Sequence, residues 1–233
     1  MWTEYLNRLL GVTVGFLILA TVVSAWRHHR REPRIFWSTV AALLLTGFEG
    51  WLGGRVVAAD LAPWIVTAHL IVALIIVQLL LYATVRAWNI GGRSTSPLVI
   101  VLIVLTMIQI GLGTQVRGGV DIALDNGVPR ASALASVGGL SNLHRDAAII
   151  VFAGCFMTFV YLSAKFPEER TVKGWTYVVV AFAALQVGLG MMMSYGSLRP
   201  AIQVAHLTVA SLLLGAETVV LLLTQTHPST SSA

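Results

Sequence analysis

Seven apolar stretches dominate the sequence, and each is long enough to cross a membrane. They cover residues 6–26, 35–53, 64–85, 97–114, 147–164, 175–194 and 201–224. A membrane-spanning helix needs about 20 mostly apolar residues. The chain is 57% hydrophobic and only 11% charged, against about 25% charged residues in a soluble domain. We therefore predict an all-α, multi-pass membrane protein with seven transmembrane helices and no sizeable soluble domain.

The basic residues are concentrated in alternate connections between these stretches. Segments 27–34, 86–96 and 164–173 hold nine of the 15 Lys and Arg residues. By the positive-inside rule that side is cytoplasmic, which predicts an inner-membrane protein with its C-terminus in the cytoplasm. The N-terminus of this chain and a loop over residues 115–143 are then expected outside. The excess of basic over acidic residues thus reflects membrane topology, and it does not indicate a nucleic-acid partner.

An internal repeat relates the two halves of the chain. LGGRVVAADLAPWIVTAHLIVA (52–73) and LGMMMSYGSLRPAIQVAHLTVA (189–210) share ten identical positions when Leu52 is aligned with Leu189. The same alignment, extended without a gap, places Asn7 on His144 and Arg8 on Arg145. Such an ordered, gap-free match predicts two pseudo-symmetric four-helix bundles in parallel orientation.

The two predicted bundles are unequal in length. Residues 1–90 form the N-terminal bundle and residues 91–226 the C-terminal bundle, followed by a polar tail at 227–233. The helix predicted at 97–114 has no equivalent in the first half, where it would precede Met1. The first bundle is therefore expected to lack its first helix.

Three histidines are the strongest candidates for ligand chemistry. His69 and His206 each follow a helix-starting proline by six residues, which places them about 9 Å into the outer half of the bilayer. His144 starts its helix from the same side, so it can face His206. Intramembrane ionisable residues are functional candidates by default. A lone membrane histidine equally often bonds a neighbouring helix, but the matched positions favour cofactor ligation.

Heme is the cofactor that this residue set favours. Bis-imidazole ligation between facing helices suits heme iron, whereas zinc prefers three or four closely grouped ligands. Arg8 and Arg145 are candidate partners for heme propionates through paired hydrogen bonds. Their alternative role is snorkelling to the outer headgroups.

The two heme sites are predicted to differ in chemistry. His144 and His206 would saturate an iron and form an electron carrier. In the first bundle His69 stands opposite Asn7, a poor iron ligand, and Glu4 lies one turn earlier on the face of Asn7. A heme with one unoccupied axial position next to a carboxylate is suited to catalysis.

Three further residues are expected to be mainly structural. Glu49, whose repeat partner is Gln186, is interpreted as a polar contact between helices. Glu217 lies about 16 Å deeper than His206 on the same face, where a structural polar contact is the preferred interpretation and proton delivery is the alternative. Cys155 falls within a helix, where a buried structural thiol is the expected state.

Several ordered motifs resemble one known family. EYLNRLLG, GFEGWLGGRVV, LAPWIVTAHLIVALIIVQLLLY, GLGTQVRGGVD, NLHRDA and LRPAIQVAHLTVASLLLG are similar to segments of heme A synthases, nearly end to end. The resemblance implies an eight-helix fold of two four-helix bundles. It also implies a heme B between His144 and His206, and a heme O substrate at His69 whose peripheral methyl group becomes a formyl group.

The resemblance assigns a catalytic role to Glu4, which falls on the glutamate of an E-x-x-H/N-R signature. Many members have a histidine where Asn7 stands, so the number of axial ligands to the substrate heme is left open. The implied partners are heme O, a heme O synthase, assembly factors of aa3-type terminal oxidases and an unidentified electron acceptor. The alternative hypotheses are a non-catalytic diheme b-type electron-transfer protein and, with less support, a transporter.

Overall fold

A computed structural model describes residues 2–27, 29–88, 96–196 and 198–224, apart from the side chain of Thr3. Regular structure in these ranges is entirely helical, with eight α-helices, a single π-helical turn and no strand. Seven of the helices are long and apolar enough to cross a membrane. The prediction of an all-α, seven-helix membrane protein is confirmed. The polar tail predicted at 227–233 and most of the connection 86–96 lie outside the described residues.

The helices have the following bounds: α1 Trp2–Trp26, α2 Pro33–Ala58, α3 Pro63–Ala87, α4 Pro97–Asp125, α5 Arg130–Ser136, α6 Gly139–Lys165, α7 Arg170–Met191 and α8 Pro200–Leu223. The π-helical turn, Met192–Gly196, continues α7. Four of the long helices, α2, α3, α4 and α8, begin with proline. Proline suits a first helical position because its fixed φ is helical and its missing N–H has no intrahelical partner there.

The segment 115–143 differs from the loop predicted for it. Helix α4 continues through Val116 and Val120, which are spaced one turn apart and are both buried. Arg117 donates to Asp121 across the same turn, with Nε 2.7 Å from Oδ2. Helix α5 and the first turn of α6 occupy most of the remainder. The loop prediction was wrong because buried valines at helical spacing extend the helix beyond its strongly apolar part.

The chain divides into two compact units, Met1–Ile90 and Gly91–Ala233. In the first unit α1 packs on α2, and α2 packs on α3. Ile18, Ala42 and Ile76 form one apolar cluster between these helices. A second cluster, nearer the start of α3, contains Leu52 and Ile65.

In the second unit four helices close into a ring. Helix α4 packs on α6, α6 on α7, α7 on α8, and α8 on α4 again. This is the arrangement of a four-helix bundle, and it leaves α6 and α8 diagonally opposite each other. Small and branched residues, including Val99, Cys155 and Leu162, fill the core with almost no exposed surface. Helix α5 packs on α4 and closes one end, where Ala133 is buried against Leu198 and Val120.

Candidate cofactor site

The second unit brings two imidazoles together across its core. The ring centroids of His144, on α6, and His206, on α8, are 6.4 Å apart, and the ring planes meet at 69°. The Nδ1 atom of each ring is buried and has no hydrogen-bond partner among the described residues. Burying polar nitrogens without partners costs free energy. The two rings face each other without being bonded to each other, so they offer a pair of imidazole ligands across the core.

A glycine on the neighbouring helix makes room for each of these rings. A Cβ atom at Gly113 of α4 would lie 3.0 Å from Cε1 of His144. A Cβ atom at Gly190 of α7 would lie 3.6 Å from Cε1 of His206. The first distance is tighter than ordinary carbon–carbon contact, so a side chain at this position would require His144 to shift by a few tenths of an ångström.

The third histidine, His69 of α3, is held in the same way against α2. A Cβ atom at Gly53 would lie 3.3 Å from Cε1 of His69. One turn earlier on α2, Oε1 of Glu49 lies 3.0 Å from Nδ1 of His69. The two atoms are close but not aligned as a hydrogen bond, since Nδ1 has no hydrogen-bond partner among the described residues.

Glu4 and Asn7 line a cavity of about 650 Å³ together with Val57, Asp60 and Leu61. Asp60 and Leu61 have φ values of 47° and 60°. Left-handed backbone is costly for residues with a Cβ and is concentrated at functional sites and tight turns. The cavity brings Glu4 and Asn7 together, as expected for residues one turn apart on α1.

His69 is not among the residues that line this cavity in the described part of the first unit. Its recorded contacts are with Glu49 and Gly53 of α2. The predicted opposition of His69 and Asn7 across the first unit stays a prediction. Helix α2 packs against both α1 and α3.

The two arginines proposed for propionates lie on exposed surface beside these positions. Arg8 donates to Glu4 one turn earlier, with Nη2 2.7 Å from Oε1. Arg145 lies 3.4 Å from the carboxylate of the adjacent Asp146. Both guanidinium groups are thus solvent-accessible and have carboxylates as their present partners.

The donor set fits a heme between His144 and His206. Metal–imidazole bonds are about 2 Å long, so ring centroids 6.4 Å apart leave room for one metal ion between the rings. The glycine on the neighbouring helix lets each ring lie close against that helix. No group of three or more His, Cys, Asp and Glu residues in the described ranges is arranged to hold a metal ion. Two imidazoles alone are the ligand set of a six-coordinate heme.

Sequence reasoning missed the residues that face the three histidines. A pattern of Glu or Gln, two variable residues, Leu and Gly occurs three times, as EGWLG (49–53), QIGLG (109–113) and QVGLG (186–190). Its glycine contacts a histidine ring in every case. At the second copy Nε2 of Gln109 donates to the backbone oxygen of His144 at 2.7 Å. A search of the sequence for all copies of this pattern, including QIGLG (109–113), would have identified the neighbouring helix of each histidine.

A buried carboxyl group lies elsewhere in the core of the second unit. Glu217 is 1% exposed, and its Oε1 accepts a hydrogen bond from Oγ1 of Thr106 at 2.8 Å. The Sγ atom of Cys155 lies 3.8 Å from the same oxygen. Glu217 therefore connects α8 to α4 and α6, as its interpretation as a contact between helices implies. Cys155 is free and buried.

Fold and site together define a class: a multi-pass helical membrane protein in which two imidazoles face each other across a four-helix bundle. The COX15-CtaA family model, described as cytochrome oxidase assembly protein, matches residues 1–218. The chain belongs to this family.

Curated relatives carry the name heme A synthase. The protein of Rhizorhabdus wittichii is 24% identical over 238 residues, which cover 91% of this chain and 68% of the relative. The protein of Allorhizobium ampelinum is 28% identical over 128 residues, which cover 50% of this chain and 35% of the relative. The protein of Caulobacter vibrioides is 32% identical over 94 residues, which cover 38% and 27%. No solved structure matches this chain significantly.

Proposed function

We propose that the protein is a heme A synthase, which oxidises the peripheral methyl group of heme O to a formyl group. The observation that carries the proposal is the pair of facing imidazoles, His144 and His206, in a chain of the COX15-CtaA family. The name of its relatives supports the same activity. The product would be heme A for aa3-type terminal oxidases.

In this proposal the second unit holds a resident heme B. His144 and His206 bind it from opposite helices, and Gly113 gives the first of these rings its space. Bound heme supplies a redox-active iron that passes electrons one at a time. Arg145, beside His144, is suited to a propionate because guanidinium pairs with carboxylate through two parallel hydrogen bonds.

The first unit would receive heme O as substrate at His69. Glu4 and Asn7 share the cavity described above, and Arg8 lies on the same exposed end of α1. Glu4 is the proposed catalytic group, because a carboxylate at the rim of the cavity can accept or deliver protons during oxidation. Arg8 would exchange its present partner Glu4 for a propionate, which leaves the carboxylate free to act.

The proposed topology follows from the positive-inside rule. The protein would lie in the inner membrane with both heme sites in its outer half, related by the repeat that aligns His69 with His206. Heme O would reach the first unit from a heme O synthase. The electrons removed from the methyl group pass to an acceptor that is not identified by the residues described here.

The test is production of heme A in cells. The chain is expressed with a heme O synthase in a host lacking its own heme A synthase, and extracted hemes are separated by chromatography. We expect heme A to accumulate, and Glu4→Ala to stop its formation while the resident heme spectrum remains. Heme O accumulating without heme A would reject the activity for this chain.

A second candidate function is a diheme b-type electron-transfer protein. The observation that favours it is that His144 and His206 face each other, because two imidazoles would complete the coordination of a heme iron and leave no position for substrate. It predicts two low-spin hemes in the purified protein and no altered porphyrin. The same extraction separates it from the enzyme, since it yields only unmodified hemes.

A further inference from the structure

We propose that Glu49 is a positioning residue for His69, and this rests on the proposed function because it assumes that His69 binds the substrate heme. The carboxyl group of Glu49 accepts the Nδ1–H of the imidazole. The lone pair of Nε2 is then free to bind iron. Metal-binding histidines usually donate their other ring N–H to a carboxylate or a carbonyl, which fixes tautomer and ring orientation.

The geometry of the first unit carries this assignment. Oε1 of Glu49 is 3.0 Å from Nδ1 of His69, and the Glu49 side chain is only 14% exposed. Nδ1 of His69 and Oε2 of Glu49 are both buried without a hydrogen bond to any described residue. Nδ1 of His69 and the carboxyl group of Glu49 are therefore neighbouring polar groups whose hydrogen-bonding capacity is not satisfied by the described residues. Because 3.0 Å is an ordinary N–H···O distance, only the angle between the two groups has to change for the bond to form.

Gly53 limits how the ring can turn. It lies one turn after Glu49 on α2, and a Cβ there would be 3.3 Å from Cε1 of His69. The same face of α2 therefore carries a hydrogen-bond acceptor for Nδ1, on Glu49, and a close backbone contact for Cε1, at Gly53. Cε1 is the ring atom nearest to Gly53, and the two nitrogens lie at nearly equal distances from the Cβ position, 3.9 Å for Nε2 and 4.0 Å for Nδ1.

The second unit lacks this carboxyl group. The repeat alignment carries Glu49 onto Gln186, whose Oε1 is buried without a partner in the described ranges. Gln109, in the QIGLG copy of the pattern, donates to the backbone oxygen of His144. Of these three histidines, all within described helices, His69 alone has a carboxyl oxygen within 4.0 Å.

The test uses the purified full chain in detergent, carrying its resident heme, with hemin added as the probe for the His69 site. Binding is followed by the heme absorption band for wild type, Glu49→Leu, Glu49→Gln and His69→Ala. Gln78→Leu is the matched control, because Gln78 lies on α3 nine residues after His69. Nine residues turn the helix by half a revolution, so this substitution removes an amide from the opposite face.

We expect Glu49→Leu to weaken the binding of added hemin about 10- to 100-fold. Glu49→Gln should stay within about threefold of wild type because an amide oxygen also accepts the Nδ1–H. Gln78→Leu should bind hemin as wild type does, and the resident heme spectrum should not change in any of these variants.

A second measurement reports the tautomer without added hemin. Nitrogen NMR of histidine-labelled protein, with His69 assigned by its loss in His69→Ala, should show Nδ1 protonated in wild type and in Glu49→Gln. Glu49→Leu should move the ring towards protonation at Nε2. Wild-type affinity and an unchanged tautomer in Glu49→Leu would overturn the proposal, as would wild-type hemin binding in His69→Ala. If the variants behave as expected but no heme A forms from heme O, only the proposed function fails.

Discussion

His144 and His206 face each other with their ring centroids 6.4 Å apart, although α7 separates their helices along the chain. The ring of four packed helices places α6 and α8 on a diagonal, so the two side chains meet in the core. We predict that His144→Ala or His206→Ala removes the resident heme, because one imidazole is left to hold the iron. Absorption spectra of the purified variants should lose the low-spin bands almost entirely.

His69→Ala is the control for this prediction. It replaces a histidine at the same distance from a helix-starting proline, but in the other unit. It should leave the resident heme spectrum intact. Loss of that spectrum in His69→Ala, or its survival in both His144→Ala and His206→Ala, would contradict the assignment of the two ligands.

The glycines beside the histidines should differ in their tolerance of alanine. In Gly113→Ala the new Cβ would lie 3.0 Å from His144, whereas in Gly190→Ala it would lie 3.6 Å from His206, an ordinary contact. We expect Gly113→Ala to lower the content of resident heme several-fold, and Gly190→Ala to retain it. Heme-to-protein ratios measure both.

Gly190→Ala is the control for Gly113→Ala, because both variants replace a helical glycine with alanine. Alanine favours helix over glycine by about 0.5–1 kcal/mol, so a general loss of helix stability cannot explain a selective effect at Gly113. Equal heme contents in the two variants would mean that the approach of the glycine to His144 is unimportant.

The hydrogen bond from Thr106 to Glu217 should stabilise the second unit. Thr106→Val removes the donor 2.8 Å from a carboxyl oxygen of a residue that is 1% exposed. An unsatisfied buried polar group costs about 1–3 kcal/mol. We expect a lower thermal unfolding midpoint for Thr106→Val in detergent.

Thr158→Val is the matched variant in the same unit. Thr158 is 2% exposed, and its hydroxyl has no partner among the described residues. Replacing an unbonded hydroxyl with a methyl group removes a desolvation cost, so the midpoint should be unchanged or higher. A loss of stability equal to that of Thr106→Val would show that the bond to Glu217 contributes nothing.

The turn between α2 and α3 contains a residue in an unfavourable backbone conformation. Leu61 has φ of 60° and is 66% exposed, so it is strained and makes little packing. Left-handed backbone costs a leucine about 1–2 kcal/mol, and replacement by glycine removes this cost. Glycine also loses more chain entropy on folding, which offsets about 0.5–1 kcal/mol of the stabilisation. Leu61→Gly should raise the unfolding midpoint by a few degrees, given the usual relation between free energy and midpoint.

Leu198 is the repeat equivalent of Leu61 and provides the contrast. Leu198 is 7% exposed and packs in a cluster with Val120 and Ala133, and its φ is not positive. Leu198→Gly should lower the midpoint, because a buried leucine is lost without relief of strain. A fall in stability for Leu61→Gly as large as that for Leu198→Gly would show that the left-handed turn stores no strain.

The three histidines were selected from the sequence, but the glycines that face them were recognised only in the structure. The internal repeat and the helix-starting prolines identify His69 and His206. Which helix faces each ring depends on packing, and the sequence analysis did not find Gly113 or Gly53. It also interpreted Glu49 as a general contact between helices, whereas the structure puts its carboxyl 3.0 Å from one ring nitrogen.

The predicted opposition of His69 and Asn7 rests on the repeat alone. The repeat alignment transfers the arrangement of His144 and His206 onto these two residues. In the first unit α2 packs against both α1 and α3, and Asn7 lines a cavity with Asp60 and Leu61. The sequence offset could not predict that cavity, because it depends on how α1 packs beside the turn between α2 and α3.

The sequence by itself determined the membrane class, the seven spans, the family and the histidines, because hydropathy, ordered motifs and repeated positions are properties of the chain alone. Tertiary structure decided that α4 continues to Asp125, that His144 meets His206, and that Glu49 contacts His69. These depend on which helical faces pack together. Burial and close approach arise between segments far apart in the chain, where local pattern carries no information about distance.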